Sequence, residues 1–157
     1  MRTVHIVATL LYDGVNPFEL GVATEVFGVE RPELGVPWYR FLLCAEARGP
    51  VRTSLGFSVI APADFSCAAE ADTVIVPGPR TILDTYPDAL LKTVRDAYQR
   101  GARLIALCTG TFLLAAAGLL DGRRVTTHWR WAADLAARYP RLQVDPSILG
   151  HVSRSNV

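Results

Sequence analysis

The stretch Arg103–Gly118, RLIALCTGTFLLAAAG, decides the fold. Leu104 to Leu107 form an apolar run of the kind that marks a strand covered on both faces. Cys108 follows, then Thr109-Gly110, then an alanine-rich apolar run that stops at Gly118. A buried strand, a tight turn and a helix closed by glycine are the simplest reading of that order. Ala106 and Gly110 set small residues on either side of Cys108, which is the steric requirement of a nucleophile elbow. Cys108 therefore has two readings. It is a nucleophile presented on a strained turn, or a small buried residue at a strand end. In the first reading the helix N-terminus favours a thiolate. The N–H of Thr109, together with that of Gly78, can then receive a developing oxyanion.

Outward from this segment the same alternation repeats. Val4–Leu11 is a near-continuous apolar run broken by YDGVNP, with Gly14 and an Asn-Pro pair as turn signals. Asn16 is suited to cap a helix with Pro17 first and Glu19 third. That helix is predicted over Pro17–Phe27, with Phe18, Val22, Val26 and Phe27 facing the core. Tyr39–Cys44 reads as a strand, residues 46–65 as a hairpin excursion, and Thr73–Val76 as a buried strand ended by Pro77-Gly78-Pro79. Pro87–Gln99 is an amphipathic helix with Leu90, Leu91, Val94 and Tyr98 at helical spacing. A helix over Thr109–Ala117, an extended piece, a helix over Trp129–Arg138 and a strand at Leu142–Val144 complete the pass. Strands alternating with helices specify an α/β fold with a mainly parallel sheet. In such sheets sites gather at the carboxyl ends of strands, so Asp13, Gly78 and Cys108 are candidates for one crevice.

Composition narrows the function classes. The chain has 157 residues, half of them hydrophobic and a fifth charged, enough for one domain with a sizeable core. A net charge of +1 with interspersed signs argues against electrostatically driven nucleic-acid binding by this chain. Three cysteines without C-x-x-C spacing support neither a zinc site nor a disulfide framework, and a reducing cytoplasm is the simpler setting. No signal-peptide cleavage pattern follows the N-terminal apolar run, and Thr111–Leu120 is too short to span a bilayer.

The segments LLYDGVNPFELGVATEVFG, VIVPGP, ALCTGTFLLAAAGLLDGRRVTTHW and WAADLAARYPRLQVD together resemble the DJ-1/PfpI superfamily, the class I glutamine-amidotransferase-like fold. More narrowly they resemble the N-terminal domain of one branch of AraC-type transcriptional regulators. The resemblance implies a flavodoxin-like three-layer sandwich and a homodimer. It carries the family's elbow cysteine onto Cys108, its acidic residue onto Glu19 and the histidine of the TTH motif onto His128. No His-x-Glu pair stands downstream, which disfavours glutamine hydrolysis. The residues 1–146 are read as the family domain without its final strand and helix, and 147–157 as an atypical tail.

Plainer readings stand beside these. Glu19 also suits the first turn of a helix as a complement to its dipole. His128 suits a turn, and so does Asp13. His5 fits a satisfied core histidine, Trp129 and Trp131 fit packing residues, and Cys44 and Cys67 fit structural ones. The function implied by the resemblance is a ligand-sensing, dimerising regulator domain that binds an unidentified small molecule. It would reach DNA only through a helix-turn-helix domain outside this chain, with no membrane contact, metal or cofactor. The alternative is a cysteine-dependent enzyme resembling isocyanide hydratase, which shares CTG and TTHW but has aspartate where Glu19 stands. A third reading is a thiol-based stress sensor in which Cys108 is oxidised.

Overall fold

The computed structural model describes residues 4–148, so the tail from residue 149 onward lies outside it. Five parallel strands form the sheet: β1 (Ile6–Leu10), β2 (Arg40–Ala45), β5 (Ala63–Asp64), β6 (Thr73–Pro77) and β7 (Arg103–Leu107), in the order β5-β2-β1-β6-β7. β1 sits at the centre. The chain moves from it to β2 on one side and later returns to β6 on the other. The β1–β6 boundary is thus the point where strand order reverses, the usual place for a crevice in an open α/β sheet. A hairpin of β3 (Gly49–Arg52) and β4 (Ser58–Ala61) fills the predicted excursion, and short β8 (Arg124–Val125) pairs with β9 (Gln143–Val144).

Side chains on the central strands alternate between two apolar layers. Ile6, Ala8, Leu10, Val74 and Val76 face a large cluster built with helix α2 (Asp88–Gln99) and helix α3 (Gly110–Ala116), including Leu90, Val94, Phe112 and Leu113. Val7 and Ile75 face the other way, onto Ala23 of helix α1 (Pro17–Ala23), with Phe27, Phe41, Ile105 and Leu107 beside them. Helix α4 (Ala132–Arg138) buries Leu135 on the first side. The result is the expected α/β sandwich with helices on both faces. No helix among the described residues is long and apolar enough to cross a membrane.

Three expectations are corrected. The first helix spans the predicted residues, as α1 continued by a wider π turn over Thr24–Gly28, but it is rotated. Glu19, Leu20 and Ala23 are buried, whereas Phe18 is 76% exposed and Val22 and Val26 are exposed as well. Asn16 explains the rotation. Its side chain caps Phe18 N–H, and its own N–H donates to Gly78 O at 3.0 Å, which sets the angle of entry. β7 is the second correction: it is an edge strand among the described residues, so Leu104 to Leu107 are half-buried instead of sealed. Third, His5 is exposed at the start of β1, where Nε2 hydrogen-bonds Thr73 Oγ1 at 2.9 Å, and Trp129 is 75% exposed.

The turn after β6 and the start of α3 approach backbone to backbone. A Cβ on Gly110 would collide with the Val76 carbonyl, and one on Gly78 with Thr109. Gly110→Ala is therefore expected to cost about 2 kcal/mol or more in urea unfolding, as overpacking does. Gly21→Ala, in α1 with open space around it, should be neutral or stabilising by up to about 1 kcal/mol.

Candidate functional site

Cys108 ends β7 with φ of 54°, the only non-glycine residue with positive φ among the described residues. An L-residue in this region carries backbone strain and stays there only if its surroundings hold it. Here threonine hydroxyls do so. Thr127 Oγ1 donates to the Cys108 carbonyl at 3.0 Å, and Thr111 Oγ1 lies 3.2 Å from the same oxygen and 2.9 Å from Thr126 O. Thr109 is buried and donates its hydroxyl to Pro79 O at 2.5 Å, tying the elbow to the turn after β6. The strand–turn–helix expected of ALCTG is thus present, with α3 beginning at Gly110.

Three strand ends converge on the sulfur. Glu19, 5% exposed, comes from α1 after β1, and its Oε2 accepts the N–H of Gly78 after β6. Oε1 accepts from Asn16 Nδ2 at 3.4 Å, and the carboxyl and the Cys108 thiol are close enough to shift each other's titration. The backbone N–H groups of Thr109 and His128 act on the Cys108 thiol in the direction that favours its charged form. Gly78 N–H is committed to Glu19. The His128 ring does something else. Nδ1 accepts from Arg130 N at 3.2 Å, capping the short turn Trp129–Trp131, and the ring stacks on Trp129 with centroids 5.4 Å apart.

The electrostatics run against the thiolate expected from the helix terminus. Burial, then the Glu19 charge, push the Cys108 thiol up to about 11, and the two N–H donors offset only part of this. α3 has seven residues, too short for its dipole to outweigh a neighbouring carboxylate. Glu19 is itself raised by burial, which outweighs the opposing effects of the Gly78 N–H, Cys108 and Asn16.

Cys108 and His128 line a cavity of about 870 Å3 that runs along β7, with Leu104, Leu120, Thr127 and Trp129 among its walls. Glu19, Gly78 and Thr109 stand behind Cys108 and are not in the cavity wall. Asp13 is elsewhere. It is exposed, accepts Arg52 N–H at 3.0 Å, and borders a separate hollow of about 230 Å3 with Glu46 and Arg48. The turn reading of Asp13 describes its position; the shared crevice does not. Thr111, Thr126, Thr127 and Asn16 are contributors that motif reading passed over. Part of their signal was available in the need of a positive-φ elbow for hydroxyl donors: Thr127 of TTH is one, whereas Thr126 takes part through its carbonyl and its hydroxyl goes to Ile148 O. Among the described residues no group of three or more His, Cys, Asp or Glu side chains converges as metal ligands would.

Glu19→Gln removes the charge facing the sulfur and keeps an acceptor for Gly78. The Cys108 alkylation midpoint should fall from about 11 toward the ordinary thiol value of 9.0, followed by rate against pH. An unchanged midpoint would mean that Glu19 does not act on the thiol. Stability carries a second sign. Glu19 is raised in the folded state, so its contribution is full below its ordinary value of 4.5 and is lost as pH rises through the folded value. Urea unfolding of wild type should weaken across that window relative to Glu19→Gln.

Comparison with known proteins places this geometry. The DJ-1/PfpI family model matches residues 5–144. A protein of Streptomyces lividans, the uncharacterized protein in cpoL 5'region, is 38% identical over 137 residues, covering 87% of this chain and 96% of its own. The HTH-type transcriptional regulator GlxA of Rhizobium meliloti is 34% identical over 145 residues, covering 90% of this chain and 44% of its own. An isonitrile hydratase of Pseudomonas putida is 32% identical over 83 residues, 52% of this chain and 36% of its own. The crystal structure of an AraC family transcriptional regulator from Pseudomonas putida superposes with a TM-score of 0.75 at 23% identity, over 97% of this chain and 84% of that one. The chain spans less than half of the length of the curated regulators it matches, from 16% to 44%. With the match running through all five sheet strands, this chain belongs to the DJ-1/PfpI family.

Proposed function

We propose that this domain is the ligand-sensing and dimerising part of an AraC-type transcriptional regulator, acting in the cytoplasm on DNA through a helix-turn-helix domain outside this chain. The observation that carries the reading is the state of Cys108. Its thiol is pushed up to about 11 while it faces a cavity large enough for a metabolite. A protonated sulfur with a carboxyl behind it suits a binding surface better than an activated nucleophile. Cys108, Thr127 and His128 would contact the ligand's polar end, and the leucines of β7 and beyond its apolar part. Glu19, Gly78 and Thr109 would hold the elbow in place from behind. Matches to named HTH-type regulators of Pseudomonas aeruginosa and Rhizobium meliloti support the same reading.

A homodimer fits the rotated first helix. Phe18, Val22 and Val26 recur at four-residue spacing on its outer side. The tip of the β3–β4 hairpin lies next to the start of this helix, since Ser54 N–H donates to Val15 O, and it exposes Leu55 and Phe57. A patch of this kind is what a subunit interface covers.

The runner-up is a cysteine-dependent hydratase, favoured by the strained elbow that sets Cys108 in the cavity wall and by the Thr109 and His128 N–H groups, which favour the charged form of its sulfur. A metabolite screen by thermal shift separates the two. A ligand should raise the Tm of the chain, and the shift should shrink in Trp129→Ala. Isonitriles should not turn over. Turnover at rates of about 1 per second or more, abolished in Cys108→Ala, would establish the hydratase instead. Phe18→Glu should convert a dimer to a monomer in analytical ultracentrifugation, and a wild-type monomer would remove dimerisation from the proposal.

A further inference from the structure

We propose that the cavity along β7 takes a short peptide with apolar side chains at alternate positions and a free carboxyl end, held as an added antiparallel strand. This rests on the sensor reading of the same cavity and names the class of molecule sensed. The floor of the cavity is a sheet edge, since among the described residues β7 pairs with β6 alone. Arg103 gives its N–H to Asp72 O at 2.9 Å, toward β6. By the alternation of a strand, Ile105 and Leu107 point the same way. The N–H and C=O groups of Leu104 and Ala106 therefore point away from β6, on the side where both residues line the cavity. Among the described residues no backbone group of another element bonds to them. A guest without amides would leave two N–H and two C=O groups unpaired against an apolar wall, which is costly. An extended peptide supplies an acceptor for each donor and a donor for each acceptor.

Charge at the two ends of the cavity sets the direction of the guest. At the start of β7 stand Arg103 and Arg123, and Tyr98 OH accepts from Arg123 Nη2 at 2.8 Å, with the guanidinium 6.0 Å from the centre of the ring. His5 and Asp72 share this end, and the Asp72 carboxylate accepts Ile6 N–H at 2.8 Å. Two guanidinium groups against one carboxylate leave the end positive, the setting for a carboxylate guest. At the other end the wall is Cys108, Thr127 and His128, the polar end of the sensor reading. The carboxyl end of the peptide thus lies at Arg103 and its amino end at Cys108, antiparallel to β7. Residues that face each other in an antiparallel pair carry their side chains on one face. Leu104 and Ala106 pack on the large apolar cluster, so the guest residues opposite them meet Leu114, Leu120 and Val125 and are apolar. The residue between those two looks to the other face and can be polar. Five extended residues span ~17 Å, which matches a strand of five.

The probe is the peptide Ser-Leu-Ser-Leu-Ser with both ends free, titrated into the full 157-residue chain by calorimetry while NMR follows amide exchange at Leu104 and Ala106. Both amides should exchange fast in the chain alone and slow down when the peptide is added. A methyl group on either leucine nitrogen should abolish binding, because each is a ladder donor, and one on the central serine nitrogen should leave it unchanged. Amidating the carboxyl end should weaken binding about tenfold. Arg103→Gln, a change at an exposed position, should weaken the acid and not the amide. Amides already protected in the chain alone would mean that another segment of it covers the edge, and protection that grows with protein concentration would mean that a second copy does. Either result overturns the proposal, as would equal losses from all three methyl positions. A non-peptide metabolite that binds where the peptide does not would overturn it too, and would leave the sensor reading standing.

Discussion

A single buried carboxylate organises this molecule. Glu19 reaches from the helix after the central strand, takes the N–H of Gly78 after β6, and meets the sulfur at the end of β7. Three strand ends are thereby fixed to one another on the crevice side of the sheet, where the strand order reverses. A charged acceptor in a dry place makes each of these bonds stronger than its surface counterpart, and leaving any donor unpaired there would be costly. The same burial raises the acid and the thiol together, so the pair resists ionising both members at once. A stable scaffold and a subdued sulfur have one cause.

That carboxylate also decides which side of the first helix faces outward. From sequence alone, Phe18, Val22 and Val26 make the more apolar stripe, and hydrophobic periodicity selects it as the core face. The structure selects Glu19, Leu20 and Ala23 instead, since the Asn16 cap and the Glu19–Gly78 bond set the rotation before apolar area is counted. Periodicity counts apolar residues, and a stripe left at the surface looks the same as one packed into the core.

Much of the rest was legible. Strands and helices fall within a residue or two of the apolar runs and their Gly, Pro and Asn punctuation, as at Asn16-Pro17 and Pro77-Gly78. The elbow at Cys108 was visible because small neighbours are a steric demand that sequence displays directly. What stayed hidden depends on pairing across the chain. The edge position of β7, the two-residue β5, the commitment of Gly78 N–H to Glu19 and the hydroxyl clamp from Thr127 all join residues tens of positions apart. The outward placement of Asp13 follows the same rule, since its partner, Arg52, sits on the hairpin.

The backbone contact between the turn at Gly78 and the start of α3 at Gly110 has a consequence for how such a domain can diversify. Only the Thr109 hydroxyl reaches into this contact, so the spacing of elbow and turn is set by main-chain atoms, by that hydroxyl and by the absence of two Cβ atoms. Thr111 and Thr127 line the cavity and also hold the Cys108 carbonyl, whereas other wall side chains such as Leu104, Leu120 and Trp129 have no part in that spacing. Those residues can therefore be exchanged, and the shape of the cavity altered, while the sulfur keeps its position and orientation. Cavity shape and scaffold geometry thus overlap only at the two threonines, which lets most of the wall drift without disturbing the elbow.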